Sequence, residues 1–196
     1  MTLTIDPTTL TPAPVVADVR AEPHDRLADT VFRSARSAPA WFVLRVWLGY
    51  QWFHAGWEKL FAPAQAGWFG DAPALVGFVH GVDAIWEHRA EAFGHPAVHY
   101  GWFVDFMDFV GAHAAVFGPI VVASELLIGL GLLTGTLTRW AALGAIGLNL
   151  LYVLAGSAGV NGVFLVGAVL LVAAYVEAGR WGGDGLVRLS RARRAS

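Results

Sequence analysis

Hydrophobic positions along the chain gather into four long runs, at residues 41–61, 116–134, 140–156 and 160–178. A hydrocarbon core of about 30 Å needs about 20 apolar residues in a helix, and each run comes close to that length. Backbone amides and carbonyls in lipid find no water, so runs of this kind bond internally and read as helices. The third run is slightly short and the first carries several polar groups. The pattern predicts an all-α protein, a four-helix transmembrane bundle with a long extracytoplasmic loop carrying short interfacial helices.

The connections divide the rest of the chain. Residues 1–38 are polar, contain Pro7, Pro12, Pro14 and Pro23, and lack apolar periodicity. They read as a disordered cytoplasmic tail, with a short surface helix over 25–37 as the alternative for the second half. Residues 39–182 make the membrane domain and 183–196 a basic cytoplasmic tail. Within the domain, runs two to four are joined by short turns that make antiparallel neighbours. The small residues Gly131 and Gly135 are suited to close helix packing. The connection at 62–115 is too long for a passive turn and reads as an extracytoplasmic cap. Two stretches in it, 72–93 and 96–110, predict helices. His80, Asp83, Glu87 and Glu91 share one face of the first, with Val82, Ile85 and Trp86 on the other, the pattern of a helix lying at an interface.

Basic residues orient the bundle. Arg20, Arg26, Arg33 and Arg36 precede the first run and Arg139 lies between the second and third. Arg180, Arg188, Arg191, Arg193 and Arg194 follow the fourth. Four crossings put all of these on one side, which the positive-inside rule makes cytoplasmic, leaving Arg89 outside and Lys59 at the border. The expected location is the cell membrane, multi-pass, with both termini cytoplasmic. Composition agrees: 56% hydrophobic against 14% charged, with a net charge of −2 that offers no general attraction to nucleic acid. Without cysteine there is no disulfide, thiolate metal site or cysteine-ligated cluster.

Polar groups within the runs are the candidates for chemistry, since a charge in hydrocarbon normally faces a partner or a cavity. Glu125 lies near the middle of the second run and Asn149 inside the third. Gln51, His54 and Glu58 follow an i, i+3, i+7 spacing, with Lys59 next in line. One reading is a polar pocket in the outer half of the bundle: Glu125 and Glu58 as catalytic carboxylates, and Lys59, His54 and Asn149, with Arg89 from the loop, as substrate-binding groups. The other is a set of structural hydrogen bonds and ion pairs that fix helix register. Arg45 is close enough to the inner end to anchor by snorkelling. His95 and His99 stand four apart, but no third ligand or catalytic glutamate completes the pattern, so no metal is expected. Nucleotide-binding and nucleophile-elbow motifs are absent.

Four segments carry a family resemblance. "LRVWLGYQWFHAGWEKLF" (44–61), "SELLIGLGLLTGTLTRWAAL" (124–143), "NLLYVLAGSAGVNGVFL" (149–165) and "AGRWGGDGL" (178–186) resemble, in order, the motifs of DoxX/DoxD-like membrane proteins. The resemblance implies a four-helix membrane bundle. For the DoxD type, which the long aromatic loop is more like, it implies the membrane subunit of a thiosulfate:quinone oxidoreductase. Arg45, Gly56, Lys59, Glu125, Arg139, Asn161 and Asp184 match motif positions. Arg45, Arg139, Asn161 and Asp184 among them read as structural or anchoring. Gly162 follows Asn161 where many relatives have proline.

Two function classes stay open. The first is a quinone-linked oxidoreductase subunit, with membrane quinone as mobile acceptor, thiosulfate as a candidate donor, and a second oxidoreductase subunit as a candidate partner. The acidic loop counts against attraction of a dianion. The second is a non-enzymatic membrane partner that organises a redox or detoxification complex. A carrier built around Glu125 ranks below both, for want of an internal repeat or broken helix pair. The expected surroundings are the lipid bilayer and membrane quinone, with self-association open and nucleic acid excluded.

Overall fold

In a computed structural model of the chain, residues 23–63, 66–92 and 97–195 are described, and every regular element among them is helical. The expectation for 1–22 and the position of His95 lie outside the described residues. The half of the N-terminal segment that is described is helical: α1 spans Pro23–Phe32, followed by a 3-10 turn at Ala35–Ser37. Phe32 stacks on Trp41 at 5.4 Å, and the Trp41 indole donates to the Val31 carbonyl at 2.7 Å, which docks α1 on the next helix.

The four apolar runs form the body. The first is α2, Ala38–Phe61, begun by Pro39, which fits a first helical turn because its missing N–H is not needed there. The second is α5, Ala114–Thr134, and the third α6, Thr138–Leu154. The fourth breaks at Ala174 into α7, Gly159–Ala173, and α8, Tyr175–Ala178. Helix α2 packs along α5, α5 against α6, and α6 against α7, while α7 and α8 return to α2. Close approach of α2 and α5 depends on small residues. A Cβ at Gly129 would strike the Phe53 backbone, and one at Gly49 would come within 2.8 Å of the Leu133 nitrogen. Leu48, Trp52, Leu132, Ala145, Ala168 and Leu171 fill the shared core.

The outer faces of these helices are apolar too. Leu127, Val163 and Val166 are each 59% exposed or more, as are Val116 and Trp140. By length and apolarity together, one described helix, α5, is sufficient to cross a membrane; α6 and α7 have 17 and 15 residues. Helix α2 is longer, at 24 residues, but less apolar because of Arg45, Gln51, His54, Glu58 and Lys59.

The long connection folds into a lid: α3 at Pro73–Glu87, a 3-10 turn at Arg89–Ala92, and α4 at Gly101–Ala112. Its helices are shorter than the stretches expected at 72–93 and 96–110. The buried face of α3 is Leu75, Val79 and Val82, an i, i+4, i+7 stripe; Ile85, expected beside Val82, is exposed. Val79, Val82, Phe103, Val104 and Met107 join Ala155 at the end of α6 in a second core. The lid therefore packs on the bundle end. Helix α9, Gly183–Ala195, closes the chain and carries Arg188, Arg191, Arg193 and Arg194.

Candidate functional site

The site sits where the lid meets the bundle. Lys59 is in the last turn of α2, and Glu125 is at the midpoint of α5. Lys59 leans back along the bundle and places Nζ 2.9 and 2.8 Å from the two Glu125 oxygens. Tyr152, near the end of α6, donates its hydroxyl to Glu125 Oε1 at 2.7 Å. Glu125 is 1% exposed. A carboxylate so buried needs a counter-charge and hydrogen bonds, and here it has both. The Lys59 ammonium also lies 5.0 Å from the centre of the Trp68 ring, whose face attracts a cation. Trp52 stacks with Tyr152 and Phe78 meets Tyr152 edge-on, so aromatic neighbours on two sides hold the phenol.

These residues border a cavity of about 340 Å3, at the lower end of ligand-site sizes. Gln51, Ala55 and Lys59 reach it from α2 at i, i+4, i+8, and Ser157 and Asn161 come from the α6–α7 junction. Asn161 donates to the Ser157 carbonyl at 2.8 Å and sits 3.0 Å from its hydroxyl. The indole N–H groups of Trp52 and Trp68, both residues of the cavity wall, are buried with no hydrogen-bond partner among the described residues.

The structure thus unites Lys59 with Glu125 and separates the rest of the expected pocket from them. His54 and Glu58 face away. They form their own pair at 3.6 Å, each side chain about half exposed. Helical phase accounts for His54, which lies about 100° from Ala55 around the axis, whereas Glu58 is nearly in phase with Gln51 and turns instead to His54 at the exposed edge. Asn149 is fully buried one turn before Tyr152, outside the cavity wall, with both amide atoms unpartnered among the described residues. Arg89 lies over the Trp86 ring at 3.8 Å and donates to the Trp86 carbonyl, away from the cavity. Tyr152 was not legible as a site residue, because a tyrosine in an apolar run reads as packing. Among the described residues no group of three or more His, Asp or Glu side chains is placed to hold a metal.

The anchoring residues occupy the opposite end. Arg45 is buried and donates to the carbonyls of Leu132, Leu133 (3.1 Å) and Trp181 (3.3 Å). Two of these belong to the last turn of α5, where carbonyls lack helical partners and the dipole favours a cation. Gly135 follows at φ +65, with Thr136 N–H bonded to Gly131 O and Gly135 N–H to Leu132 O, a Schellman ending. Asp184 caps the next helix, accepting from Leu137 N at 2.8 Å and Thr138 N at 2.9 Å. Arg139 stands over Tyr175 at 5.5 Å. Asn161, expected to be structural, is both internally bonded and part of the cavity wall.

Helices with apolar outer faces, clasped around the α5–α6 turn by Arg45 and Asp184 and holding a paired lysine and glutamate beside a cavity, make a helical bundle with an internal polar site. The DoxX family profile matches residues 40–158, more than half of the chain, and the protein belongs to that family of membrane proteins. No match was found among curated proteins or among solved structures.

Proposed function

We propose that the chain is the membrane subunit of a quinone-linked oxidoreductase, and that the cavity beside Lys59, Glu125 and Tyr152 receives the quinone ring. In this reading α2, α5, α6 and the α7–α8 pair are four crossings of the cell membrane. Both termini lie in the cytoplasm, with the lid outside. The distribution of arginines and the exposed apolar faces of α5 and α7 support it. Helix α8 adds four residues to α7, which is short by itself. Residues 39–182 then form the membrane domain, with 62–115 as its outer cap and 183–196 as a basic cytoplasmic tail.

One observation carries the reading: a buried ammonium, carboxylate and phenol bonded together at the wall of an aromatic cavity. Reduction of a quinone to a quinol takes up two electrons and two protons. Its carbonyl oxygens need donors, and the wall offers the third N–H of Lys59, beyond the two given to Glu125, and the Gln51 amide. Tyr152 Oη and Lys59 Nζ hold the two protons that the reduced ring takes up, Glu125 orients both groups, and two protons from water restore them afterwards. Electrons come from a donor held by a second subunit. Thiosulfate is the donor that the family resemblance implies. Lys59 is already neutralised by Glu125, so docking of that dianion falls to the second subunit.

Binding tests the reading directly. Protein in lipid nanodiscs is titrated with a tailless dimethoxy-methyl-benzoquinone, with tryptophan quenching as the signal. Saturable quenching is expected, weakened about tenfold or more by Tyr152→Phe and by Glu125→Gln, equivalent to about 1.4 kcal/mol. Quenching that rises linearly without saturation, alike in all three proteins, overturns it.

The alternative is a non-enzymatic partner that organises a redox or detoxification complex. The exposed aromatic strip of Tyr100, Trp102 and Phe109 on the lid favours this reading. Absence of ring binding, together with loss of a co-purifying complex on Trp102→Ala, would establish it over the first.

A further inference from the structure

A second cavity, of about 220 Å3, lies against the first. Trp68, Phe78 and Tyr152 belong to the walls of both and form the partition between them. The two differ sharply in character. The first is bordered by Gln51, Lys59, Glu125, Ser157 and Asn161. In the second, Ser124 is the one hydroxyl besides that of the shared Tyr152, and the remaining wall is aliphatic, aromatic or methionine. Helices α3, α4, α5 and α6 contribute Leu75, Met107, Val121 and Leu148. An apolar cavity of this size holds water poorly, so its natural filling is hydrocarbon.

The depth of the wall residues shows which way it opens. Leu75, Met107 and Val110 are buried, whereas Phe106, Ile120 and Leu151 are exposed by 37%, 50% and 38%. Ile120 and Leu151 stand on α5 and α6, whose outer faces are apolar and, in the reading above, touch lipid. A path therefore runs from the hydrocarbon region, past a rim of Phe106, Ile120 and Leu151, to a deep end at Tyr152. Across Tyr152 lie the polar groups.

We infer that the ligand of this protein is an amphiphile drawn sideways from the bilayer, with a hydrogen-bonding ring in the polar cavity and a hydrocarbon tail in the apolar one. The inference rests on the quinone reading for the ring and adds the seat of the membrane quinone's hydrocarbon tail, together with its route of entry. An ordinary phospholipid chain would fit the apolar cavity alone and leave its headgroup at the rim. The contiguity of the two cavities is what favours one molecule spanning both. Lipid is as apolar as the cavity wall, so the tail contributes location more than affinity.

Location is what the experiment reads. A quinone bearing a diazirine on its tail is photolysed with the full-length protein in nanodiscs, and adducts are mapped by peptide mass spectrometry. Adducts are expected on Phe106, Met107, Leu148 and Leu151, suppressed by excess unlabelled tailed quinone. Val121→Trp and Leu151→Trp, which fill the cavity from two different helices, are each expected to reduce them at least fivefold. Adducts spread over Leu127, Val163 and Val166, with saturable binding of the tailless ring intact, overturn the tail site and leave the quinone reading standing. If the tailless ring does not bind and a photoreactive phospholipid labels the same wall, the cavity holds ordinary lipid and both readings fall.

Discussion

Lys59 and Glu125, 66 positions apart in sequence, form a two-point ion pair in which one ammonium serves both oxygens of a carboxylate that is almost wholly withdrawn from solvent. The pair joins the end of α2 to the middle of α5. Removing one partner leaves the other charge buried and alone. Lys59→Met and Glu125→Met are each expected to destabilise the protein by about 3–5 kcal/mol, while the double variant recovers most of the loss. Thermal unfolding of the four proteins in one detergent checks this. Additive losses in the double variant would show that the charges do not depend on each other.

His54 and Glu58 make the complementary case. Their pair is longer, half exposed and outside the cavity wall. His54→Ala and Glu58→Gln are expected to shift stability by no more than about 0.5 kcal/mol and to leave ring binding unchanged. A tenfold loss of quenching affinity in Glu58→Gln would return that carboxylate to the site.

At the other end, Asp184 holds the first amides of α6 and Arg45 the last carbonyls of α5. Asp184→Ala is expected to cost about 0.5–2 kcal/mol, the usual worth of an N-cap. Arg45→Lys is expected to be nearly as damaging as Arg45→Met, because one ammonium cannot span three carbonyls as a guanidinium does. Hydrogen exchange at Leu137 and Thr138 should quicken in Asp184→Ala; unchanged protection at those amides would deny the cap its role.

The lid carries a pH-dependent contact. Burial, and then the nearby Asp108, hold the Asp83 carboxyl above its ordinary range; Glu87 adds to the effect and His80 opposes it. Because the folded state holds this proton more tightly than the unfolded chain, the associated stability is present at acid pH and is lost as pH rises through the folded value. Asp83→Asn, which cannot ionise, is expected to raise the unfolding temperature at pH 7.5 and to change it little at pH 4. An equal shift at both pH values would place the cause elsewhere.

Much of this architecture was open to reading from residue order alone. The four apolar runs became α2, α5, α6 and α7–α8, and buried charge pointed to Glu125 because an isolated carboxylate in that position demands a partner. The break at Ala174 had no such signal, since alanine and valine continue on both sides. The composition of the site was legible only in part. Spacing of i, i+3, i+7 put Gln51, His54 and Glu58 on one broad face, yet the cavity takes only Gln51 from that set. Which edge of the face turns inward depends on where α5 docks, and the close approach at Gly49 and Gly129 settles that. Tyr152 carries no signal of its own for a related reason: its ring packs as an apolar residue does, and only its oxygen, reaching Glu125 on another helix, marks it as different.

The turn between α5 and α6 is held by groups that arrive from far away in sequence. Arg45 is made long before it, while Trp181 and Asp184 come more than forty residues later. During synthesis the Arg45 bonds to Leu132 and Leu133 can form once α5 is made, whereas the bonds to Trp181 and Asp184 wait until the segment after α8 leaves the ribosome. A chain stopped at residue 178 would contain every apolar run and still lack the clasp on the first amides of α6.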